Sequence, residues 1–389
     1  MYPLRRPDLC PNLLIMKNTI SIKTLGWLLV LFMSGCVDPY RPPEITQPDS
    51  YLVVNGFFNS APGTTTSIQL SRTQNLTDTK TPIAETKAQV TIESQNKVTY
   101  ALNEGSAGTY TLSGVTPLPG ETYRLHIHTT KGTDYYSDYV SVNTTPPIDS
   151  VSWHVENEGV QINVNTHDPQ NNTHHYRWEF DETWEYTAAY YSSYEYEQKS
   201  KQIIVRNEPV YRCWGSASSK NLMLGSTARL SQDRVSQFPL TAIEGSSIKF
   251  QHRYSILVRQ YALSQTGYEY YDQLAKITQN IGSIFDPQPS QITGNIRSST
   301  NPADLVLGFF RVGTVVSKRI FIDRAQLPAW LTNTGFSSCT IDTMTVMKIE
   351  FNQPGIITGL DPGAYLTSSF ECIDCRLRGG VTKKPDFWE

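Results

Sequence analysis

Three carboxylates lie close together in the segment FDETWE: Asp181, Glu182 and Glu185. Two carboxylates roughly 5 to 10 Å apart across a cleft are the arrangement that hydrolyses glycosidic bonds. On a straight β-strand, however, Asp181 and Glu185 share one face and lie about 13 Å apart. Because that separation is too long for the reaction, we predict structural or solvent-facing roles here and no catalytic residue.

A second group of chemically useful side chains lies in THDPQNNTHH, which contains His167, Asp168, His174 and His175. These side chains would surround a metal ion if the segment folded back as a hairpin. Asp-Pro and Asn-Asn are turn formers, however, and they favour a polar loop between two strands. We therefore predict a loop and no metal site in this segment.

The segment TYRLHIHT carries two further histidines, His126 and His128, on the face opposite to its apolar residues. Nothing else in the segment converges on them, so we predict a solvated strand face and not a metal site. The sequence also lacks H-E-x-x-H, G-x-S-x-G and phosphate-loop motifs. We accordingly predict no metal and no cofactor.

A cluster of aromatic residues follows the carboxylates and is the candidate binding patch: Trp184, Tyr186, Tyr190, Tyr191, Tyr194 and Tyr196. Exposed aromatic rings can stack on sugars or anchor a partner protein. The alternative is that these rings cover the edge of a β-sandwich with their hydroxyls in water. Both interpretations remain open from the sequence.

Cys36 has the clearest chemical role in the sequence. The apolar run Leu25–Met33 follows two lysines and ends at small residues, which is the layout of a signal peptide over residues 1–35. The residues MSGC at 33–36 resemble the bacterial lipobox, so we predict cleavage before Cys36 and diacylglycerol on its thiol. Two or more acyl chains hold a protein at a bilayer essentially permanently. The alternative is a secreted protein with an incidental cysteine.

The residues around this signal complete the expected anchor. Met16 is a better start than Met1, since residues 1–15 add only a ragged basic leader; the alternative is that residues 1–15 extend the basic region of the signal peptide. Residues 36–49 hold four prolines and little apolar content, which predicts a stiff, extended tether. No later segment is long and apolar enough to span a membrane.

Four further cysteines are expected to form disulfides, because the chain carries an export signal: Cys213, Cys339, Cys372 and Cys375. A four-cysteine zinc site is the alternative. Four thiols allow three pairings. We favour Cys372 with Cys375 and Cys213 with Cys339, because the first two are close in sequence.

The rest of the sequence predicts a mainly β protein. Charged residues make up 18% of the chain and show no basic stripe, so nucleic acid is not an expected partner. Short period-two segments predict an immunoglobulin-like β-sandwich over residues 50–145. A larger β domain over 146–389 follows, with strands at 304–322 and 345–351 and one inserted α-helix near 264–281. Ser264 is the expected N-cap and Gly282 the expected stop of that helix.

An ordered set of short motifs resembles the Bacteroidetes DUF4249 family of lipoproteins, a domain of unknown function. The motifs are the Cys36 lipobox, Ile148–Val151, Cys213-Trp214, Gly282–Pro287, Gly294–Ile296, Leu307–Phe310 and Cys372–Trp388. The resemblance implies an outer-membrane lipoprotein, often associated with TonB-dependent receptors. It implies no established activity, so no catalytic residue is carried over.

We therefore predict a non-enzymatic binding or accessory protein, anchored to outer-membrane lipid through Cys36 and working with a TonB-dependent transporter. A surface hydrolase of glycans or peptides is one alternative, and a structural or adhesive envelope protein is another. The sequence leaves open whether the protein faces the periplasm or the cell surface.

Overall fold

The structure, a computed structural model, describes residues 50–74, 83–118, 120–279, 292–360 and 363–388. The prediction of a mainly β protein is confirmed, with 25 strands and three α-helices in these ranges. The predicted signal peptide, Cys36, the tether and the helix stop at Gly282 lie outside the described residues.

The first ten strands belong to one 12-stranded sheet, and their inward side chains form one core. They are β1 (Leu52–Asn59), β2 (Thr65–Arg72), β3 (Ile83–Ala84), β4 (Gln89–Ser94), β5 (Thr99–Ala101), β6 (Asn103–Ser106), β7 (Thr109–Ser113), β8 (Thr122–His128), β9 (Asp134–Ser137) and β10 (Val140–Asn143). As the period-two pattern predicts, Tyr123, Leu125 and Ile127 of β8 all point inward and are fully buried.

Two later strands, β20 (Ile296–Ser298) and β21 (Val306–Gly313), belong to this first unit. β21 pairs in parallel with β1, from Leu52 opposite Val306 to Asn59 opposite Gly313, and β20 pairs with β9. The predicted boundary at residue 145 placed both segments in the second domain. Local patterns could not reveal the pairing of β21 with β1, because the two segments lie about 250 residues apart.

A glycine contact and a buried asparagine fix β21 in place. Gly308 has φ +144° and packs against Val54, and a Cβ on Gly294 would overlap the carbonyl oxygen of Gly308. The buried Asn295 amide donates to the Phe310 carbonyl at 2.9 Å and accepts from the Phe310 N–H at 2.8 Å. Gly294–Ile296 and Leu307–Phe310, two of the motifs that carry the family resemblance, therefore contact each other.

We expect Asn295→Ala to lower the free energy of unfolding by about 2 to 4 kcal/mol, because it leaves a buried N–H and a buried carbonyl of Phe310 unpaired. Urea denaturation of the variant measures the change. Asn301→Ala, in an exposed turn, is the matched control and should cost under about 1 kcal/mol. Equal stability of the two variants would contradict this role for Asn295.

The second unit is a sandwich of a three-stranded and a five-stranded sheet. The smaller sheet holds β11 (Ile148–Glu156), β12 (Gly159–His167) and β18 (Arg234–Glu244); the larger holds β13 (His175–Thr187), β16 (Arg212–Ser218), β17 (Met223–Ser226), β19 (Arg253–Ala262) and β22 (Val315–Asp323). The core between them includes the fully buried Trp178, whose indole N–H donates to Gln260 at 2.8 Å. That bond satisfies the one polar atom of the indole ring.

A further five-stranded sheet holds β14 (Tyr194–Glu197), β15 (Gln202–Val205), β23 (Asp342–Thr345), β24 (Gly355–Leu360) and β25 (Ala364–Ser368). The helices are α1 (Gln265–Gln279), α2 (Val346–Asn352) and α3 (Phe370–Ile373), with 3-10 turns at Ile248–Phe250, Arg324–Gln326 and Cys375–Arg378. Ser264 caps α1 as predicted, since its hydroxyl accepts the Gly267 N–H at 3.1 Å.

The prediction of a strand at 345–351 was wrong, because this segment forms α2. Its apolar residues alternate in part as in a strand. Met347, Lys348 and Glu350 are good helix formers, however, and only Ile349 is buried, so no sheet face holds the segment extended.

The four predicted cysteines form two disulfides, but the predicted pairing was wrong. Cys213 bonds to Cys375, and Cys339 bonds to Cys372. Cys372 lies in α3, whereas Cys375 begins the next 3-10 turn, and packing directs the two thiols to different parts of the chain. Proximity in sequence was therefore a poor guide to the pairing.

Candidate functional site

A polar cavity of about 490 Å³ lies between α1 and the segment 138–143, and we call it the α1 cleft. It is lined by Asp138, Tyr139, Val140, Ser141, Asn143, Ser264, Thr266, Glu269, Tyr270, Gln273, Thr293, Gly294, Asn295, Arg297 and Phe309. Burial raises the pKa of Tyr270 to about 12, so its phenol is neutral at physiological pH. No sequence motif indicated this cleft, because its walls come from segments separated by over 100 residues.

A second cavity, of about 480 Å³, continues along the same strand over residues 142–147. It shares Asn143 with the α1 cleft and is closed on the other side by the loop 168–173 and by Ala262 and Leu263. The two cavities therefore lie next to each other along residues 138–147.

The carboxylates of FDETWE are each paired with a cation. Asp181 accepts from Arg259 at 2.7 Å, and Glu185 pairs with Arg212 at 3.0 Å. The buried Glu182 accepts from Lys249 at 2.6 Å and from Tyr254 at 2.7 Å. Because each carboxylate is bound to its own basic partner, this strand presents no free acid and base facing one another.

The predicted loop at THDPQNNTHH forms, and Asp168 organises it. Its carboxylate accepts backbone N–H groups of Gln170, Asn172 and Thr173, each at 2.9 Å. Burial alone would raise the pKa of Asp168, but these three donors outweigh it and lower the pKa. His167 instead contacts the Asp149 carboxylate at 2.7 Å, and His175 stacks on Tyr268 at 4.7 Å.

Cross-strand pairing adds two carboxylates to the histidines of β8. His126 lies between Glu93 at 3.1 Å and Asp134 at 2.8 Å, and His128 contacts the same Asp134 oxygen at 2.9 Å. The hydrogen bonds from both rings lower the pKa of Asp134. The face is therefore a half-buried network and not fully solvated, and the sequence missed it because Glu93 and Asp134 lie on other strands. Among the described residues, no group of three or more such side chains has the geometry of a metal site.

The candidate binding patch does not form one exposed surface. Tyr191 is 63% exposed, but Tyr186 is only 2% exposed and donates to the Cys375 carbonyl at 2.8 Å. Tyr190 donates to the Cys339 carbonyl at 2.9 Å, and Trp184 packs on Gly215. The half-buried Tyr194 and Tyr196 lie in β14. Most of these rings therefore lie next to the disulfides or in the third sheet, and they are not a shared binding surface.

Exposed apolar side chains concentrate toward the carboxyl end instead. Ten of the eighteen exposed large apolar or aromatic residues in the described ranges are Leu331, Ile341, Val346, Met347, Phe351, Leu360, Phe370, Leu377, Val381 and Phe387. Met347 and Phe351 are 80% and 87% exposed, and their i, i+4 spacing puts both on one face of α2. Large exposed apolar groups of this kind mark interaction sites when they cluster. We call this pair the α2 apolar face.

A family model described as a domain of unknown function, DUF4249, matches residues 37–319. The chain belongs to the DUF4249 family. No match is found among curated proteins. Within this DUF4249 chain, the α1 cleft lies inside the matched residues, and the α2 apolar face lies beyond them.

A solved structure of the Yersinia pseudotuberculosis adhesin InvE is similar to this DUF4249 chain at 12% identity and a TM-score of 0.15. The likeness covers 56% of each chain, so this chain spans a little over half of that adhesin. No helix in the described ranges is long and apolar enough to cross a membrane.

Proposed function

We propose that this protein is a lipid-anchored binding protein of the outer membrane that serves a TonB-dependent transporter. The observation that carries the proposal is the α2 apolar face. Met347 and Phe351 are almost fully exposed next to each other on one helix. Burying each such side chain against a partner would stabilise a complex by roughly 1.5 to 3 kcal/mol.

The surroundings of α2 support a docking role. Ile349 is buried under the helix, and the exposed Glu350 pairs with Lys201, in the turn between β14 and β15, at 3.6 Å. The Met347 and Phe351 side chains are thus presented by an anchored helix. A rigid apolar anchor loses little conformational entropy on binding.

The anchor and tether fit the same role. Acylation of Cys36 would restrict the protein to the membrane surface, where a membrane-embedded partner also lies. The proline-rich residues 37–48 would separate the folded part from the lipid. Restricting two partners to one membrane raises their effective concentration, so a modest interface suffices.

We expect the double variant Met347→Ser/Phe351→Ser to recover at least about tenfold less partner from solubilised membranes, since two apolar anchors worth over 1.4 kcal/mol are lost. Quantitative mass spectrometry of affinity-purified complexes measures the ratio. The melting temperature should not fall, because neither side chain is buried.

The matched control is Leu118→Ser/Leu230→Ser, which removes two exposed leucines in other parts of the fold. This control should recover as much partner as the wild type. If the α2 double variant retains its partner, or if both double variants lose it equally, the α2 apolar face is not the docking surface.

A further inference from the structure

Thr187, Gln251 and His252 meet at one end of the larger sheet of the second unit. Thr187 is the last residue of β13, and the other two residues lie just before β19 begins. The pairing of β13 with β19 runs up to Glu185 opposite Arg253, so the three residues continue the same two strands. Thr187 is buried, whereas Gln251 and His252 are half-buried.

Both polar atoms of the Gln251 side chain contact Thr187. The Thr187 N–H donates to Oε1 at 3.0 Å, and Nε2 donates to the Thr187 hydroxyl at 3.2 Å. A backbone N–H can only donate, so the first contact fixes which end of the amide is the oxygen. Because Cδ is one bond away from both polar atoms, the amide carbon lies beside the Thr187 hydroxyl.

A histidine nitrogen lies beside the same hydroxyl, since His252 Nε2 is 3.4 Å from Thr187 Oγ1. Burial lowers the pKa of His252; the Glu185 carboxylate opposes this effect and Arg212 adds to it. The ring is therefore neutral at physiological pH and can accept a proton at Nε2. A hydroxyl next to a neutral imidazole is the arrangement of an activated oxygen nucleophile.

We propose that Thr187 and Gln251 join through an intramolecular ester bond that the protein forms by itself. Rotation about the last torsion of the glutamine side chain, which is soft, turns the face of the amide to the hydroxyl. Thr187 Oγ1 then attacks Gln251 Cδ while the hydroxyl proton passes to His252 Nε2. The Thr187 N–H stabilises the charge that develops on Oε1.

The second half of the reaction releases ammonia. The bond between Cδ and Nε2 of Gln251 breaks, and the proton moves from His252 to the leaving nitrogen. One carbon–oxygen bond replaces one carbon–nitrogen bond, so the reaction needs no oxidant, reductant or co-reactant. Loss of ammonia to the solvent draws the reaction forward, and burial of Thr187 keeps water from the ester.

A second threonine–glutamine pair lacks the histidine and serves as an internal control. The buried Gln260 donates from Nε2 to Thr166 Oγ1 at 2.9 Å. The Thr166 hydroxyl donates to the Pro147 carbonyl at 2.9 Å, and in the described ranges no histidine is hydrogen-bonded to it. A peptide carbonyl cannot take up the hydroxyl proton, so this pair should remain a hydrogen bond.

The ester would add a second covalent bond next to a disulfide. Tyr186 pairs with Cys213 of the Cys213–Cys375 bond, and Thr187 is the next residue. The ester would hold β13 to β19 even when that disulfide is reduced. The site is separate from the α2 apolar face and goes beyond the proposed function.

Peptide mapping of the folded full-length protein, after reduction and digestion with trypsin, tests the ester. We expect peptide 250–253 to be linked to peptide 178–199. The linked pair should weigh about 17 Da less than the two peptides together, which is the mass of ammonia. Peptides 132–177 and 260–276, which carry Thr166 and Gln260, should not be linked.

His252→Ala should slow formation of the link at least about a hundredfold, because a positioned base contributes that much or more. The linked fraction is measured over time after cell-free synthesis. His154→Ala, an exposed histidine of β11, is the matched control and should react like the wild type. Thr187→Val and Gln251→Ala should form no link.

Peptide 250–253 recovered free from the folded wild type would overturn the ester, whether its glutamine is intact or deamidated. An equal link between the peptides of Thr166 and Gln260 would overturn the specificity of the site. Linkage of the His252→Ala protein at the wild-type rate would overturn the role of the histidine as the base.

Discussion

Replacing both Cys213 and Cys375 by alanine should lower the free energy of unfolding by about 5 kcal/mol in the chain-entropy model. The bond joins residues 162 positions apart, so it restricts the unfolded chain over a long loop. Both sulfur atoms are fully buried beside Tyr186, so packing is lost as well. A loss of this size approaches the whole stability of an ordinary domain.

Guanidinium unfolding under non-reducing conditions measures this loss. The comparison variant lacks Cys339 and Cys372, whose loop of 33 residues is shorter, and it should lose about 4 kcal/mol. Peptide mapping without reduction should yield fragments linked 213–375 and 339–372. A fragment linked 372–375, or full stability without the Cys213–Cys375 bond, would contradict the account.

Replacing Cys36 by alanine should move the protein from the membrane fraction to the soluble fraction or leave its signal peptide uncleaved. The reason is that Cys36 is the predicted acyl acceptor, and each methylene buried in the bilayer contributes about 0.8 kcal/mol. Fractionation and intact-protein mass spectrometry measure the distribution and the acyl mass. Thr46→Ala, in the predicted tether, is the matched control and should change neither.

A Cys36→Ala protein that still fractionates with the outer membrane and carries the same acyl mass would contradict lipidation at Cys36. Membrane retention without any acyl mass would instead indicate that a protein partner holds the molecule. The two readouts are therefore needed together.

Local patterns predicted the strands well, because buried and exposed side chains alternate along each segment. β8 is the clearest example, since the inward side chains at 123, 125 and 127 alternate with polar ones. The partner of β1 was not predictable, because β21 joins it from about 250 residues away. The disulfide pairing failed for the same reason, since it depends on which distant segments pack together.

The candidate sites show the same division between local and long-range information. Spacing placed His126 and His128 on one face, but only the register of β4 and β9 brings Glu93 and Asp134 to them. Composition drew attention to the tyrosines near β14, yet several of them are buried or bonded to main-chain carbonyls. The α1 cleft has no sequence signature, because its lining comes from separate segments of the chain.

The proposed docking role of the α2 apolar face is tested most directly by lysine cross-linking in intact cells, followed by mass spectrometry. Lys348 is exposed in α2 between Met347 and Phe351, and Lys131 is exposed in the turn between β8 and β9. We predict cross-links from Lys348, and none from Lys131, to a TonB-dependent transporter of the outer membrane. Cross-links from Lys348 only within the chain, or equal cross-linking of both lysines to unrelated proteins, would contradict the account.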